Sequence, residues 1–316
     1  MRAYFGNRTW NKSLPGKGNC LAFCIVLFML FLPSSRLFAA PSNGVEITDD
    51  LGRKITLTQP AKRIIPLYGA FSEMLFAAGA GEQVIARTQA DSFPPEVVRL
   101  PSVGTHMRPD FEMIIGLKPD LVILSATRKE EAPEISRLVE SGIPVAVFAP
   151  KTFEEIFSVA ERLGILSGHS ENASVFVTSL KHRLDAVRDK LKGIEKGQRV
   201  FFEIRAEPIT GAGRGSIVYE ILKAAGAENV LTNDKAIVQY NLEALLFENP
   251  DAYIVQQGPM NKNPPDPRER AHFDQLKCVR DGRIIFADEF LYSRPGPRCV
   301  DAVEQLAAAL YPDRFK

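Results

Sequence analysis

The chain is poor in the residues that most often do chemistry, with one tryptophan, four cysteines and four histidines among 316 residues. His106, His169, His182 and His272 stand at no ligand spacing, which argues against capture of a bare metal ion. There is no Gly-Lys-Ser/Thr phosphate loop and no Gly-x-Ser-x-Gly elbow, and neither Cys278 nor Cys299 has a histidine placed to activate it. Neither charge dominates: 39 Lys and Arg stand against 38 Asp and Glu, so the basic field that nucleic acid would need is missing. No apolar run reaches the roughly 18 residues that span a bilayer, and no segment is of low complexity.

One apolar run does carry meaning. Cys20–Leu32 is thirteen residues long and follows Arg2, Arg8, Lys12 and Lys17, with no acidic residue before it. A basic stretch, a short apolar core and the small residues Ala39 and Ala40 make an export signal, with cleavage expected after Ala39 because Pro41 disfavours a cut directly before it. An uncleaved membrane anchor is the alternative; neither Cys20 nor Cys24 follows the small-residue pattern of a lipid-attachment site. Loss of residues 1–39 removes Trp10 and five basic residues, leaving 34 basic against 38 acidic. Only Cys278 and Cys299 survive. An oxidising compartment permits a disulfide between them, worth roughly 3 kcal/mol if unstrained, and two separate buried thiols are the alternative.

The most informative feature present is a repeat. Glu73-Met-Leu-Phe-Ala-Ala-Gly-Ala80 recurs as Glu220-Ile-Leu-Lys-Ala-Ala-Gly-Ala227, and Asp110 to Ile123 recurs as Asn241 to Ile254, with Pro-Asp at the same place in each copy. The offsets, 147 and 131 residues, are far longer than a solenoid unit, so each copy is a lobe. Short apolar runs alternate with helical patterns in both halves: Arg63–Tyr68, Leu121–Leu124 and Val145–Phe148, then Arg199–Ile204, Ala252–Val255 and Arg283–Ala287. Continuous hydrophobicity predicts strands buried on both faces, as in parallel sheets.

Between the halves, Ala173, Phe176, Leu180, Leu184, Val187 and Leu191 form a stripe at helical spacing. The expected architecture is therefore α/β: two similar lobes, each a mainly parallel sheet flanked by helices, joined by one long helix, with a cleft between them. The expected boundaries are 40–168 for the first lobe, 169–193 for the linking helix and 194–316 for the second. A single stiff helix predicts modest hinge closure, and clefts between lobes favour small ligands.

This constellation resembles the periplasmic substrate-binding proteins of ABC importers for iron chelates and vitamin B12, the class with a helix between its lobes. The likeness rests on Ile47-Thr-Asp-Asp-Leu-Gly-Arg53, Leu67-Tyr-Gly-Ala-Phe-Ser-Glu73, Val103-Gly-Thr-His-Met-Arg-Pro109, Leu117-Lys-Pro-Asp-Leu-Val122, Gly226-Ala-Glu-Asn229 and Arg294-Pro-Gly-Pro-Arg298. It implies a monomer in the periplasm, without a cofactor of its own, that captures a ferric siderophore, haem or cobalamin and docks on a permease dimer. In the family a glutamate on each lobe tip docks on permease arginines, and the matching positions are Glu73 and Glu220. Each could instead simply favour a helix N-terminus through the macrodipole. Glu112 and Glu243, which also repeat, read as helix starts behind the capping residues Asp110 and Asn241.

Ligands of open α/β sheets lie beyond the carboxyl ends of the strands. That places Tyr68, Gly69, Phe71, His106, Arg108, Arg128, Arg205, Tyr240, Gln256, Tyr292 and Arg294 as candidate ligand contacts. The arginines lean toward an anionic ligand, since a guanidinium offers a bidentate fork, and His106 or Tyr68 could serve as axial ligand to a haem. Two other readings remain: a ligand sensor on the same fold, and a nucleotide-using enzyme suggested by Gly211-Ala-Gly-Arg-Gly-Ser216. The latter lacks the turn spacing of a dinucleotide site.

Overall fold

The apolar runs that do not alternate with polar residues form parallel strands buried on both faces. The computed structural model describes residues 44–125 and 133–316; the export signal and Arg128 lie outside the described residues. In the first lobe a hairpin, β1 (Val45–Thr48) and β2 (Lys54–Leu57), is followed by β3 (Ile64–Pro66) and helix α1 (Gly69–Ala77). Short strands β4 (Gly104–Thr105) and β5 (Arg108–Pro109), helix α2 (Phe111–Gly116), β6 (Leu121–Ser125), α3 (Pro133–Glu140), β7 (Val145–Phe148) and α4 (Phe153–Ser167) complete it. Strands β3, β6 and β7 form a parallel sheet in that order, and every residue of β7 is buried. The hairpin turn explains Asp-Asp-Leu-Gly-Arg. The buried Asp49 carboxylate accepts from the backbone of Leu51 and Arg53 and from the Arg53 guanidinium at 2.7 Å, while Gly52 takes a left-handed φ of 76°.

Helix α5 (Ser170–Lys190) then crosses to the second lobe, about 32 Å at 1.5 Å per residue. Its buried stripe is Ala173, Val177, Leu180 and Val187, with Phe176, Leu184 and Leu191 packed at the margins. The second lobe comprises β8 (Gln198–Arg205), β9 (Thr210–Ala212), α6 (Ile217–Ala224), β10 (Ala227–Asn229), β11 (Ile237–Gln239), α7 (Leu242–Glu248), β12 (Ala252–Gln257), α8 (Lys277–Arg280), β13 (Ile284–Asp288), α9 (Glu289–Tyr292) and α10 (Cys299–Leu310). Its sheet runs β11-β9-β8-β12-β13, with β10 also on β8. The pairs β8–β10, β8–β12 and β12–β13 are parallel, whereas β9 and β11 extend the sheet antiparallel.

The sequence repeat is a structural repeat. Asp110 and Asn241 each cap a helix, accepting from Met113 N at 2.9 Å and Ala244 N at 2.8 Å. The aspartate of each Pro-Asp pair then ties its own strand to the neighbouring one: Asp120 accepts from Lys62 and Arg63 N at 2.8 Å, and Asp251 from Arg199 N at 2.9 Å. One hydrophobic core runs through both lobes by way of α1, α4, α5, α6 and α10, and each lobe has a smaller second core. Cys278 lies in the outer core of the second lobe and Cys299 in the shared core; both are free, so the disulfide is not made. Burial pushes the Cys278 thiol up to about 11 and the Cys299 thiol up to about 12, which leaves both as inert hydrophobes.

Candidate functional site in the cleft between the lobes

Parallel strands deliver their following loops to one edge of a sheet, and here the two edges face one another. A cavity of about 390 Å³ is walled by Tyr68 and Phe71 after β3, Ser125 at the end of β6, and Ala149, Pro150 and Lys151 after β7. From the second lobe come Ile204, Gly215 to Val218, Ala236, Ile237, Met260, Ser293 and Pro295. The walls are largely apolar. A larger groove of about 870 Å³ runs along α5 and α6 on the molecule's flank. It is walled by parts of α5 and α6 and by the segments at 191–197 and 226–232, and two of its cations, Arg188 and Lys192, are already paired with Asp185 and Asp189. The cleft at the strand ends is therefore the better ligand site.

Tyr68 anchors one wall. Its ring meets Phe71 edge-on at 5.5 Å and His106 at 5.8 Å, and the Arg294 guanidinium lies 5.8 Å from its centre. Burial pushes its phenol up to about 12, against the opposing influence of Arg294, so it enters the cleft as a neutral hydroxyl. Gly69 leaves room for a neighbour: a Cβ there would lie 2.2 Å from Arg294 Nη1 and 2.7 Å from Asp91 Oδ1, so a side chain would displace them. The strap Ser293-Arg-Pro-Gly-Pro-Arg298 thus reaches from the second lobe onto the start of α1, and a Cβ on Gly296 would come within 2.8 Å of Ala70 Cβ.

Tyr68, Gly69, Phe71, His106 and Arg294 are therefore brought together as the sequence predicts, but several other candidates are not. Tyr292 is buried against Phe202 at 5.8 Å, and Tyr240 packs on Phe201 at 5.7 Å beside the outer core of the second lobe. Gln256 is fully buried and accepts from Ser293 Oγ. Arg108 and Arg205 are exposed, Arg205 one residue after the cleft-lining Ile204. Glu73 also needs correction as a lobe-tip residue. It is only 4% exposed and accepts from Arg298 Nη2 at 2.8 Å, an ion pair between the lobes covered by the Phe93 ring 4.7 Å from the guanidinium. Its repeat partner Glu220 is half-buried on α6 and lines the flank groove.

Sequence reasoning missed Ala149 to Lys151, although they directly follow a strand it had identified. It also missed Ser216 to Val218, whose only signal was the glycine-rich run before them. Those glycines serve packing: a Cβ on Gly213 would lie 2.2 Å from the Lys235 carbonyl oxygen, and one on Gly215 would lie 2.5 Å from that of Asp234. The run is a close backbone approach, with Ser216 capping α6, and offers no support for a dinucleotide cradle.

The comparisons agree with this geometry. A family model described as "Periplasmic binding protein" matches residues 64–290. An uncharacterized ABC transporter substrate-binding lipoprotein of Bacillus subtilis, YvrC, is 31% identical over 277 residues, covering 86% of this chain and 87% of its own length. A vitamin B12-binding protein of Pectobacterium carotovorum is 26% identical over 258 residues, covering 79% of this chain and 88% of its own. Among solved structures, the periplasmic vitamin B12 binding protein BtuF of Vibrio cholerae superposes with a TM-score of 0.70 at 25% identity, over 81% of this chain and 99% of that one. A periplasmic haem-binding protein from Pseudomonas aeruginosa shares the fold at TM-score 0.71 and 24% identity, over 80% of this chain and 93% of that one. Among the described residues no helix is long and apolar enough to cross a membrane.

Proposed function

The chain belongs to the periplasmic binding protein family, and from that premise we propose that it is exported, its leader cut after Ala39, to capture a metal chelate and hand it to an ABC permease. The ligand is a ferric siderophore, haem or cobalamin, the metal being held by the chelator as part of the cargo. The observation that carries this reading is the cleft itself: apolar side chains from both lobes converge at the strand ends, with Tyr68 and Phe71 on one side and Ile217, Ile237 and Met260 on the other. Such a surface covers the apolar face of a chelate or macrocycle and performs no chemistry on it. The relatives named as B12-binding and the haem-binding neighbour in structure support this range of ligands.

Delivery needs an exposed contact. Glu220 makes no ion pair among the described residues and stays available for a charge-assisted contact with a permease. Glu73 is committed to Arg298. Glu220→Ala is expected to cut uptake of a labelled chelate in cells depending on this protein at least several-fold, with chelate affinity unchanged. Loss of affinity in that variant would contradict the assignment of Glu220 to docking. Absence of any chelate taken up through the wild-type protein would overturn the transport reading as a whole.

A further inference from the structure

Most arginines packed into this molecule are spent on carboxylates: Arg53 on Asp49, Arg162 on Asp50, Arg183 on Asp301, Arg199 on Glu248, Arg270 on Glu203 and Arg298 on Glu73. Arg294 is not. Among the described residues its side chain makes no hydrogen bond and no ion pair, and its guanidinium is held instead against ring faces, 4.6 Å from the centre of Phe290 and 5.8 Å from that of Tyr68.

The carboxylates nearby are all engaged elsewhere. Asp91 accepts from Ser72 Oγ at 2.9 Å, Thr88 N at 3.1 Å and Thr88 Oγ1 at 2.6 Å. Glu289 accepts from Met260 N at 2.7 Å, and Glu73 from Arg298. A half-buried guanidinium whose faces are covered by aromatic rings keeps its N–H edge for an acceptor that the protein does not supply.

The surroundings point to where that acceptor comes from. Ser293 and Pro295 on either side of Arg294, and Tyr68 beneath it, are all walls of the cleft. The absence of a side chain at Gly69 leaves the space the guanidinium fills at that seam, since a Cβ there would lie 2.2 Å from Arg294 Nη1. Among the described residues no acidic side chain lines the cleft, and the charged wall residue there, Lys151, is exposed and makes no ion pair. The described walls of the cleft are thus largely apolar, and at its margin stand Arg294 and Lys151, two cations whose side chains make no ion pair among the described residues.

We propose that Arg294 is the anion anchor of the cleft, and that the ligand is a chelate with one apolar face and a carboxylate or catecholate oxygen edge, in preference to a neutral corrinoid or trihydroxamate. The apolar face lies on Tyr68, Phe71 and Ile217, and the anionic edge takes the Arg294 fork. This rests on the capture reading above and narrows it.

Isothermal titration of the exported protein tests it with five probes: ferric protoporphyrin, its dimethyl ester, a ferric triscatecholate, a ferric trihydroxamate and cyanocobalamin. The expected result is that the tightest ligand is anionic. Arg294→Gln, with an unchanged melting temperature, should weaken that ligand by about tenfold to a hundredfold, Arg294→Lys less so, and neutral probes by less than about twofold. If porphyrin is the ligand, esterification should cost as much as Arg294→Gln does. A neutral probe as the tightest ligand, or an Arg294→Gln variant that binds its anion undiminished, overturns the anion anchor while leaving capture standing. Silence from every probe with the wild type overturns both.

Discussion

The two most deeply buried acid pairs make opposite demands on the fold. Glu203, fully buried on β8, accepts from the Arg270 guanidinium, from Tyr253 Oη at 2.5 Å and from Asn261 Nδ2 at 3.4 Å. It pins the proline-rich loop at 258–270 to the sheet. Arg270→Ala would strand that carboxylate in a dry site, so a loss of about 3–5 kcal/mol is expected in urea unfolding; a loss below 1 kcal/mol would show that water reaches it. Glu73 differs because burial raises its carboxyl above the ordinary range despite the opposing pull of Arg298. A native carboxyl that holds its proton more tightly than the unfolded one makes its contribution at low pH, and that contribution is lost as pH rises through the native value. As pH falls from neutral toward the ordinary carboxylate range the wild type should therefore gain stability relative to Glu73→Gln. A constant difference between the two melting curves across that window would contradict the raised value. The repeat singled out Glu73, but the residue that pairs with it lies 225 positions away, in a strap whose path no local pattern reveals. Tyr240 and Tyr292 were misread for the same reason. A strand end announces which loop faces the cleft, yet burial of each ring depends on Phe201 and Phe202 across the sheet.

At the scale of elements, α4 and α5 form a hairpin whose closeness depends on one residue. A Cβ on Gly164 would stand 2.4 Å from Ala173 Cβ. Alanine ordinarily stabilises a helix interior by about 1 kcal/mol over glycine, but forcing these helices apart costs about 1–3 kcal/mol. Gly164→Ala is thus expected to lower the melting temperature, and a rise would mean the hairpin relaxes without cost. The elements with a strong period or a continuous apolar run, α5, β6, β7, β8 and β12, were legible in the sequence because their burial is set by their own residues. The strands β9 and β11 were not. Each has three residues, too short a run to show a period, and they pair with one another antiparallel. The turn between β1 and β2 shows no hydrophobic pattern, because it is carried by Asp49, Gly52 and Arg53.

For the whole molecule, a core shared by both lobes and a buried ion pair across their seam limit how far the cleft can open. Lobe boundaries in sequence told of two lobes and one helix, but not that α10 and the strap bind the lobes a second time. Ligand capture is accordingly expected to change the radius of gyration by on the order of 1 Å or less in X-ray scattering; a shift of several ångströms would require the seam to break. The most direct test of the account is native mass spectrometry of the exported protein with ferric siderophores, haem and cobalamins, repeated with Ile237→Glu and Met260→Glu together. Both are partly exposed walls of the cleft, so the double variant should fold while placing acids where the chelate lies. One chelate retained by the wild type at one per chain, and lost from the double variant at unchanged melting temperature, is the result predicted. An adduct that survives those two substitutions would place the ligand outside the cleft and contradict the account.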